Sequence, residues 1–362
     1  MIASALQPLP LMLHDGPNIQ VERIDPLTGS IWDSLVASRH DHSAFHLSAW
    51  ARVLAEAYGH RPFYLRFIID GENAALVPLM EVCSPLTGRR GVSLPFSDFA
   101  GPLWIQARHK PAIYQELLAL AAQRKWKHLE LRGGSSPVAG ATYFRTYHTH
   151  ELDLRSGSSQ LASQFPASTR RSIRKAERSG LTITIRHDAR ALPEFYQLHD
   201  RTRRRHGLPP QPFGFFQVIN RHMIEPGLGT VVLAKHAGMA VAGAVFFHSG
   251  GRTIYKYGAS DKSHWALRPN HGVMWNAIQY LAESGCQTLD FGRTSNDAVG
   301  LLHFKQSWGA SDTTLSYFRY HSGKQTWISD TLSPAKSLPL VFAHLPLALN
   351  RIAGRLIYPH LD

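Results

Sequence analysis

The chain has 362 residues, enough for two packed domains or one large one with a substantial core. Apolar residues make up 44%, aromatics 10% and charged residues 18%, and no apolar run reaches the roughly 18–20 residues of a membrane span, which excludes a polytopic membrane protein and a disordered chain. Thirty-nine Lys+Arg against 26 Asp+Glu give a net charge of +13, which fits either a generally basic protein or one with an anionic partner.

The first segment, Met1 to Leu13, is uncharged, carries Pro8 and Pro10 and lacks a basic start, so it does not read as a signal peptide. The expected location is cytoplasmic. Phe63 to Ile69, then Asp70-Gly71, then Ala74 to Val82 predicts two strands joined by a tight hairpin. Leu117 to Arg124 predicts a helix leading into a strand at Leu129-Glu130-Leu131. The same elements recur in the same order. Thr230 to Lys235, Ala237-Gly238 and Val241 to His248 predict a second hairpin, and Ala277 to Ser284 a second helix leading into Leu289-Asp290-Phe291. Such a repeat predicts a duplicated α/β (α+β) unit, each copy a mixed, largely antiparallel sheet with flanking helices. The Ser/Gly-rich joint near Arg155-Ser156-Gly157 divides residues 1–155 from 156–330, and residues 331–362 form an apolar and basic tail. Cys83 and Cys286 are the only cysteines, which argues against a disulfide framework and a Cys-based zinc site.

Between Phe165 and Arg205, eleven Lys/Arg face four acids, so over half the net charge sits in this segment. Ser168-Thr169 reads as an N-cap and Gly180 as a stop, predicting a short helix between them. At about 100° per residue, Arg170, Arg171, Arg174, Lys175 and Arg178 share one face, with Ile173 and Ala176 opposite. That face is either solvated or a surface for phosphates, which Arg forks suit. Arg201 to Arg205 ends a helix before a Pro-rich loop, where basic residues either serve a functional role or simply offset the helix dipole.

Tyr255 to Ser260 predicts a strand that leads through Arg268-Pro269-Asn270 into the second helix. Such a junction offers free N–H groups beside an Arg, an anion site for Tyr257, Ser260, Arg268 and Asn270 to line, or an ordinary capped helix. Asp290-Phe291-Gly292-Arg293 closes a strand and opens a polar loop. Lys305 follows, between Phe304 and Trp308, where a lysine either stabilises an oxyanion or packs its stem on the indole. In the tail, Leu338 to Leu349 is too short to span a bilayer. It either packs on the protein or lies on a membrane surface, with Pro339 and Pro346 interrupting a helix. No HExxH, Cys/His spacing or GxSxG is present, which disfavours a zinc enzyme and a serine hydrolase.

Taken in order, seven short segments resemble the FemAB family of acyltransferases, whose members carry two tandem folds like those of the GNAT N-acyltransferases. They are Trp50 through Tyr58-Gly59-His60-Arg61-Pro62, Gly91 to Asp98, Thr169 to Ala176, Tyr257-Gly258-Ala259-Ser260, Arg268-Pro269-Asn270, Asp290 to Arg293, and Phe304 to Ala310. The resemblance implies two tandem GNAT-like domains and an N-acyltransferase. Family members that build peptidoglycan bridges transfer an amino acid from aminoacyl-tRNA to an amine on a cell-wall precursor, and their Phe-Lys lysine maps onto Lys305. Their coiled-coil arm has no counterpart here, because 201–220 is too short and Pro-rich. The chain looks closer to the branch found beside exopolysaccharide and PEP-CTERM gene clusters.

On this resemblance the expected donor is acetyl-CoA or another acyl-CoA, with aminoacyl-tRNA as the alternative and no metal. Lys305 would stabilise charge and Asp290 act as base or orienter. Tyr257, Ser260, Arg268, Asn270 and Arg293 would hold the donor. Arg170, Arg171, Arg174, Lys175, Asp98 and Phe304 would hold an anionic or glycan/lipid-linked precursor. Expected partners are that precursor, tRNA under the alternative, and peripheral contact with the inner face of the cytoplasmic membrane through 338–358, with no DNA. A non-catalytic RNA- or phosphate-binding protein on the same scaffold is the rival reading.

Overall fold

A computed structural model describes residues 18–330 and 337–362. The expectations for Met1–Leu13 and for 331–336 lie outside the described residues. A four-stranded antiparallel sheet runs in the order Ile19–Ile24, Tyr64–Ile69, Glu72–Val77, Leu103–Trp104. A second, twelve-stranded sheet runs Leu181–Arg186, Gly229–His236, Met239–Ser249, Arg252–Ser260, Thr288–Asp290, Arg145–Asp153, Ser311–His321, His128–Arg132, Gly88–Val92, Met80–Ser84, Arg61–Pro62, with Thr326–Ile328 paired to Ser311–His321.

Both predicted hairpins form. Their turns, Asp70-Gly71 and Ala237-Gly238, place two consecutive residues at positive φ, the geometry that follows the strand twist. The first hairpin ends at Val77, and Met80–Ser84 is a separate strand that joins the large sheet. Two parallel pairs interrupt the antiparallel pattern, one in each half. Gly88–Val92 pairs with His128–Arg132 across the helix Lys110–Gln123, and Arg252–Ser260 pairs with Thr288–Asp290 across the helix Pro269–Glu283. A parallel pair needs such a crossover, so the repeated helix-to-strand step of the sequence is this connection.

The halves are stitched together. Ser311–His321, late in the chain, lies between Arg145–Asp153 and His128–Arg132, and Arg145–Asp153 also pairs with Thr288–Asp290. A mixed core joins Phe45, Trp50 and Phe96 to Phe195, Phe215, Phe247 and Tyr257.

The basic helix spans Ala167–Glu177 and is capped by Pro166, not by Ser168-Thr169. Thr169 is buried instead, and its hydroxyl donates to the Ser307 carbonyl at 2.7 Å. Ile173 and Ala176 form the inner face, as their spacing requires, and Gly180 ends the turn at positive φ. The tail folds back as helices Ser337–His344 and Leu347–Ile357, with Pro346 capping the second. No helix among the described residues is long and apolar enough to cross a membrane.

Candidate active site

The parallel pair in the second half builds the site. Its strands pair over three residues, ending at Ile254 opposite Asp290. Beyond that point Phe291 and Thr294 bond the backbone of His150 and His148 instead, and the two strands part. A crevice at the carboxyl ends of parallel strands is the standard place for a ligand in such sheets.

Asp290 stands at the mouth of the split. Its Oδ1 accepts from the Gly292 backbone N–H at 2.7 Å and from the Thr149 hydroxyl at 2.9 Å. Burial pushes its carboxyl up to about 6. Gly292 sits at φ +69°, where a Cβ would lie 3.0 Å from the Tyr255 carbonyl and 3.2 Å from Asp98 Oδ2. Only glycine lets the chain turn this close to both.

Lys305 projects from the helix Val299–Gln306 and is 2% exposed. It does not simply lay its stem on Trp308, because its Nζ donates to the Gly292 carbonyl at 2.7 Å and to the Arg293 carbonyl at 3.4 Å. An ammonium has three N–H donors, so one is left over. Burial lowers the amine to about 8, opposed by the charges of Asp98 and Asp290. Thr149, Asp290, Gly292 and Lys305 thus form one hydrogen-bonded chain across the split.

Asp98 closes the other side. Its Oδ2 lies 3.2 Å from Lys256 Nζ and its Oδ1 3.5 Å from Arg293 Nε, all but Arg293 nearly buried. Arg293 also donates to the Tyr317 hydroxyl at 3.0 Å, which itself donates to the Asp98 carbonyl at 2.6 Å. Arg293 therefore belongs to this cluster.

Sequence reasoning passed over Lys256. It falls where Val245 pairs with Tyr257 and Phe246 with Tyr255, so Lys256 is the extra residue of a β-bulge. A bulge re-aims a side chain and is common beside active sites. Burial lowers the Lys256 amine to about 8, with Asp98 acting against the shift. The available signal was a lone cation inside an aromatic strand, but the bulge itself leaves no mark in sequence.

The other expected residues divide. Ser260 and Asn270 bond each other at 3.3 Å, and Trp265 donates to the same hydroxyl at 2.9 Å, so they latch the strand to the helix start. Arg268 caps that helix at φ +59° with its side chain exposed. Tyr257 packs among Phe216, His199 and Phe247, its buried hydroxyl without a hydrogen-bond partner. Phe304 stacks edge-on with His271 and Trp308. Arg170 departs from the expected cationic face: it is half-buried and donates to the Ser163 and Phe165 carbonyls, fastening the preceding turn. Arg171, Arg174 and Lys175 are exposed and, among the described residues, make no side-chain hydrogen bond or ion pair.

Residues 163–306, which carry the split strands, the basic helix and Lys305, match the acetyltransferase (GNAT) domain family. The solved structure of FemX superposes with a TM-score of 0.64 at 18% identity, covering 82% of this chain and 96% of that one. A tandem GNAT protein from the clavulanic acid biosynthesis pathway gives 0.53 at 10% identity, covering 84% and 99%. These likenesses place the fold among the GNAT-like folds.

Part of the chain is also similar in sequence to FemAB-type enzymes. It is 36% identical over 87 residues to the lipid II:glycine glycyltransferase of Staphylococcus haemolyticus and 36% identical over 78 residues to that of Staphylococcus aureus. The match spans about a fifth of the length of these relatives, 21% and 18%.

Proposed function

We propose that the protein is an N-acyltransferase that moves an aminoacyl group from aminoacyl-tRNA to an amine on a lipid-linked cell-envelope precursor. The observation that carries it is Lys305, buried with one N–H to spare in the crevice of a chain locally similar to lipid II:glycine glycyltransferases. The acceptor amine attacks the ester carbonyl, forming the C–N bond and a tetrahedral oxyanion. Collapse breaks the C–O bond to the ribose, and the proton lost by the amine balances the one gained by the leaving hydroxyl. Lys305 donates its third N–H to the oxyanion, which gains charge only in the transition state. Asp290 orients the Gly292 loop that holds Lys305. The Asp98 carboxylate faces the entering ammonium group. Arg171, Arg174 and Lys175 take phosphates of the donor or the acceptor.

The second reading, acyl-CoA as donor, is favoured by the GNAT domain match and by Arg268, an unpartnered cation at a helix N-terminus. The expected site of action under either donor is the inner face of the cytoplasmic membrane. Purified full-length protein should be incubated with a lipid-linked muropeptide acceptor and either aminoacyl-tRNA or acetyl-CoA, with product mass read by mass spectrometry. The expected result is a mass gain of one amino acid, formed about 10²–10³-fold more slowly by Lys305→Ala. A mass gain of one acetyl group would select the second reading, and an unimpaired Lys305→Ala would overturn both.

A further inference from the structure

The tail helix Leu347–Ile357 is seated with its apolar side outward. Its inner arc sets Asn350 and Gly354 between the half-buried Leu347 and Ile357. Asn350 is fully buried, and Gly354 lies so close to the Pro210 carbonyl that a Cβ would stand 2.0 Å from that oxygen. Arg351 reaches the buried Asp200 at 2.6 Å, and just past the helix Tyr358 donates to the Pro209 carbonyl at 3.2 Å and accepts from Arg203 at 2.8 Å. These contacts fix which face points away.

That outward arc carries Leu349, Ile352 and Leu356, exposed by 50%, 55% and 66%. Spacing of three and four residues lays them in one stripe along the helix. A helix packed on its own protein normally buries such a stripe and shows its polar side. Here a second apolar stripe is turned outward, leaving three apolar side chains solvated.

The patch continues beyond the helix. The hairpin turn after Met80–Ser84 is tied to the tail, since Ser84 and Thr87 bond His360 at 3.1 and 3.4 Å. That turn carries Leu86, 76% exposed. Arg355 flanks the stripe on the helix, and Arg89 is exposed on the strand after the turn. Over residues 337–362 the sole acid is Asp362, and it is paired with Arg90 at 2.6 Å.

We infer that this face is a docking surface for the anionic headgroup region of a bilayer, into which Leu349, Ile352 and Leu356 insert. A shallow apolar stripe flanked by Arg355, with the tail's one acid already paired, is complementary to anionic lipid, while the seat presets its orientation without a folding step. The inner side of the tail is tied to segments that also carry site residues. Tyr358 packs on Phe96 at 5.7 Å, two residues from Asp98, and Arg205 on the helix beneath donates to the Ser260 carbonyl at 3.0 Å. Docking would hold the crevice beside lipid-linked molecules. The inference does not depend on acyl transfer, so its failure leaves the proposed function standing, and the reverse.

The test is sedimentation of the full chain with vesicles of phosphatidylcholine alone or with 30 mol% phosphatidylglycerol, about 30% being the composition chosen to mimic an anionic leaflet. The expected result is binding to the anionic vesicles that weakens with salt. It should fall at least 10-fold in the triple variant Leu349→Ser, Ile352→Ser, Leu356→Ser, with an unchanged or higher Tm showing that the fold survives. Failure of the wild-type chain to sediment, or equal sedimentation of the folded triple variant, would overturn it. So would a wild-type dimer in light scattering that becomes a monomer in the triple variant, since the stripe would then be a contact between two copies. If the triple variant does not fold, Arg355→Glu replaces it, and undiminished anionic binding there would also overturn the inference.

Discussion

Two lysines with little-exposed side chains, Lys256 and Lys305, form one charged cluster with Asp98, Asp290 and Arg293 at the split between the parallel strands. Burying an amine costs stability, because folding disfavours its charged form. The folded Lys305 gives up its proton near pH 8, well below the ordinary lysine value. Its cost is therefore fully present at pH 7 and fades as pH rises from about 8 towards about 10.4, as the unfolded lysine also discharges. Lys305→Met should remove that cost and forfeit two hydrogen bonds, leaving stability at pH 7 unchanged or raised by about 1–3 kcal/mol in denaturant unfolding, while transfer is lost. A clear loss of stability would mean that Lys305 is a structural residue. Activity should also be bell-shaped in pH. Its acid limb, near 6, follows protonation of Asp290, and its basic limb, near 8, follows loss of the Lys305 proton. A profile flat from pH 5 to 10 would contradict the assigned roles (about 6 and about 8 being the limbs expected).

The local elements were legible where turn chemistry and periodicity agree. Asp70-Gly71 and the inner face of Ala167–Glu177 are such cases. Legibility failed where tertiary contacts decided the outcome. Thr169 reads as a cap by residue type, yet the Ser307 carbonyl claims its hydroxyl and Pro166 starts the helix. Phe213–Ile219 and the irregular turns after it, broken at Gly227, had no legible pattern because their apolar side chains are shared among several neighbours. Gly354 belongs to this scale too. Gly354→Val should force the tail off the Pro210 backbone and release the Arg351–Asp200 pair, since a close backbone approach leaves no room for a Cβ. Buried Asp200 would then face water or stand alone, at a cost of about 3 kcal/mol or more. Faster proteolysis within 337–362, with the rest of the chain intact, would report it; unchanged cleavage would show that the seat is not needed to hold the tail.

For the whole molecule, the net charge of +13 resolves into two uses. Some cations are structural: Arg170 fastens a turn, Arg203 holds Tyr358, Arg351 pairs with Asp200, and Arg293 braces Asp98. Arg171, Arg174 and Lys175 remain exposed within the region that matches the GNAT domain family. Their simultaneous change to Glu should raise KM for the phosphate-bearing substrate at least 10-fold, with kcat changed less than about 2-fold and a flatter dependence on salt. An unchanged KM and salt response would return this face to plain solvation. The sequence by itself determined the two hairpins, the crossover helices, the basic helix and the motif residues around Lys305, because each rests on turn chemistry, period or residue type within a short stretch. Only the tertiary structure decided that Ser311–His321 stitches the two halves into one sheet, that a bulge turns Lys256 toward Asp98, and that the tail shows its apolar side outward. Each of those depends on which distant segments meet, and pairing partners, bulges and outward faces are set by contacts that no local pattern encodes.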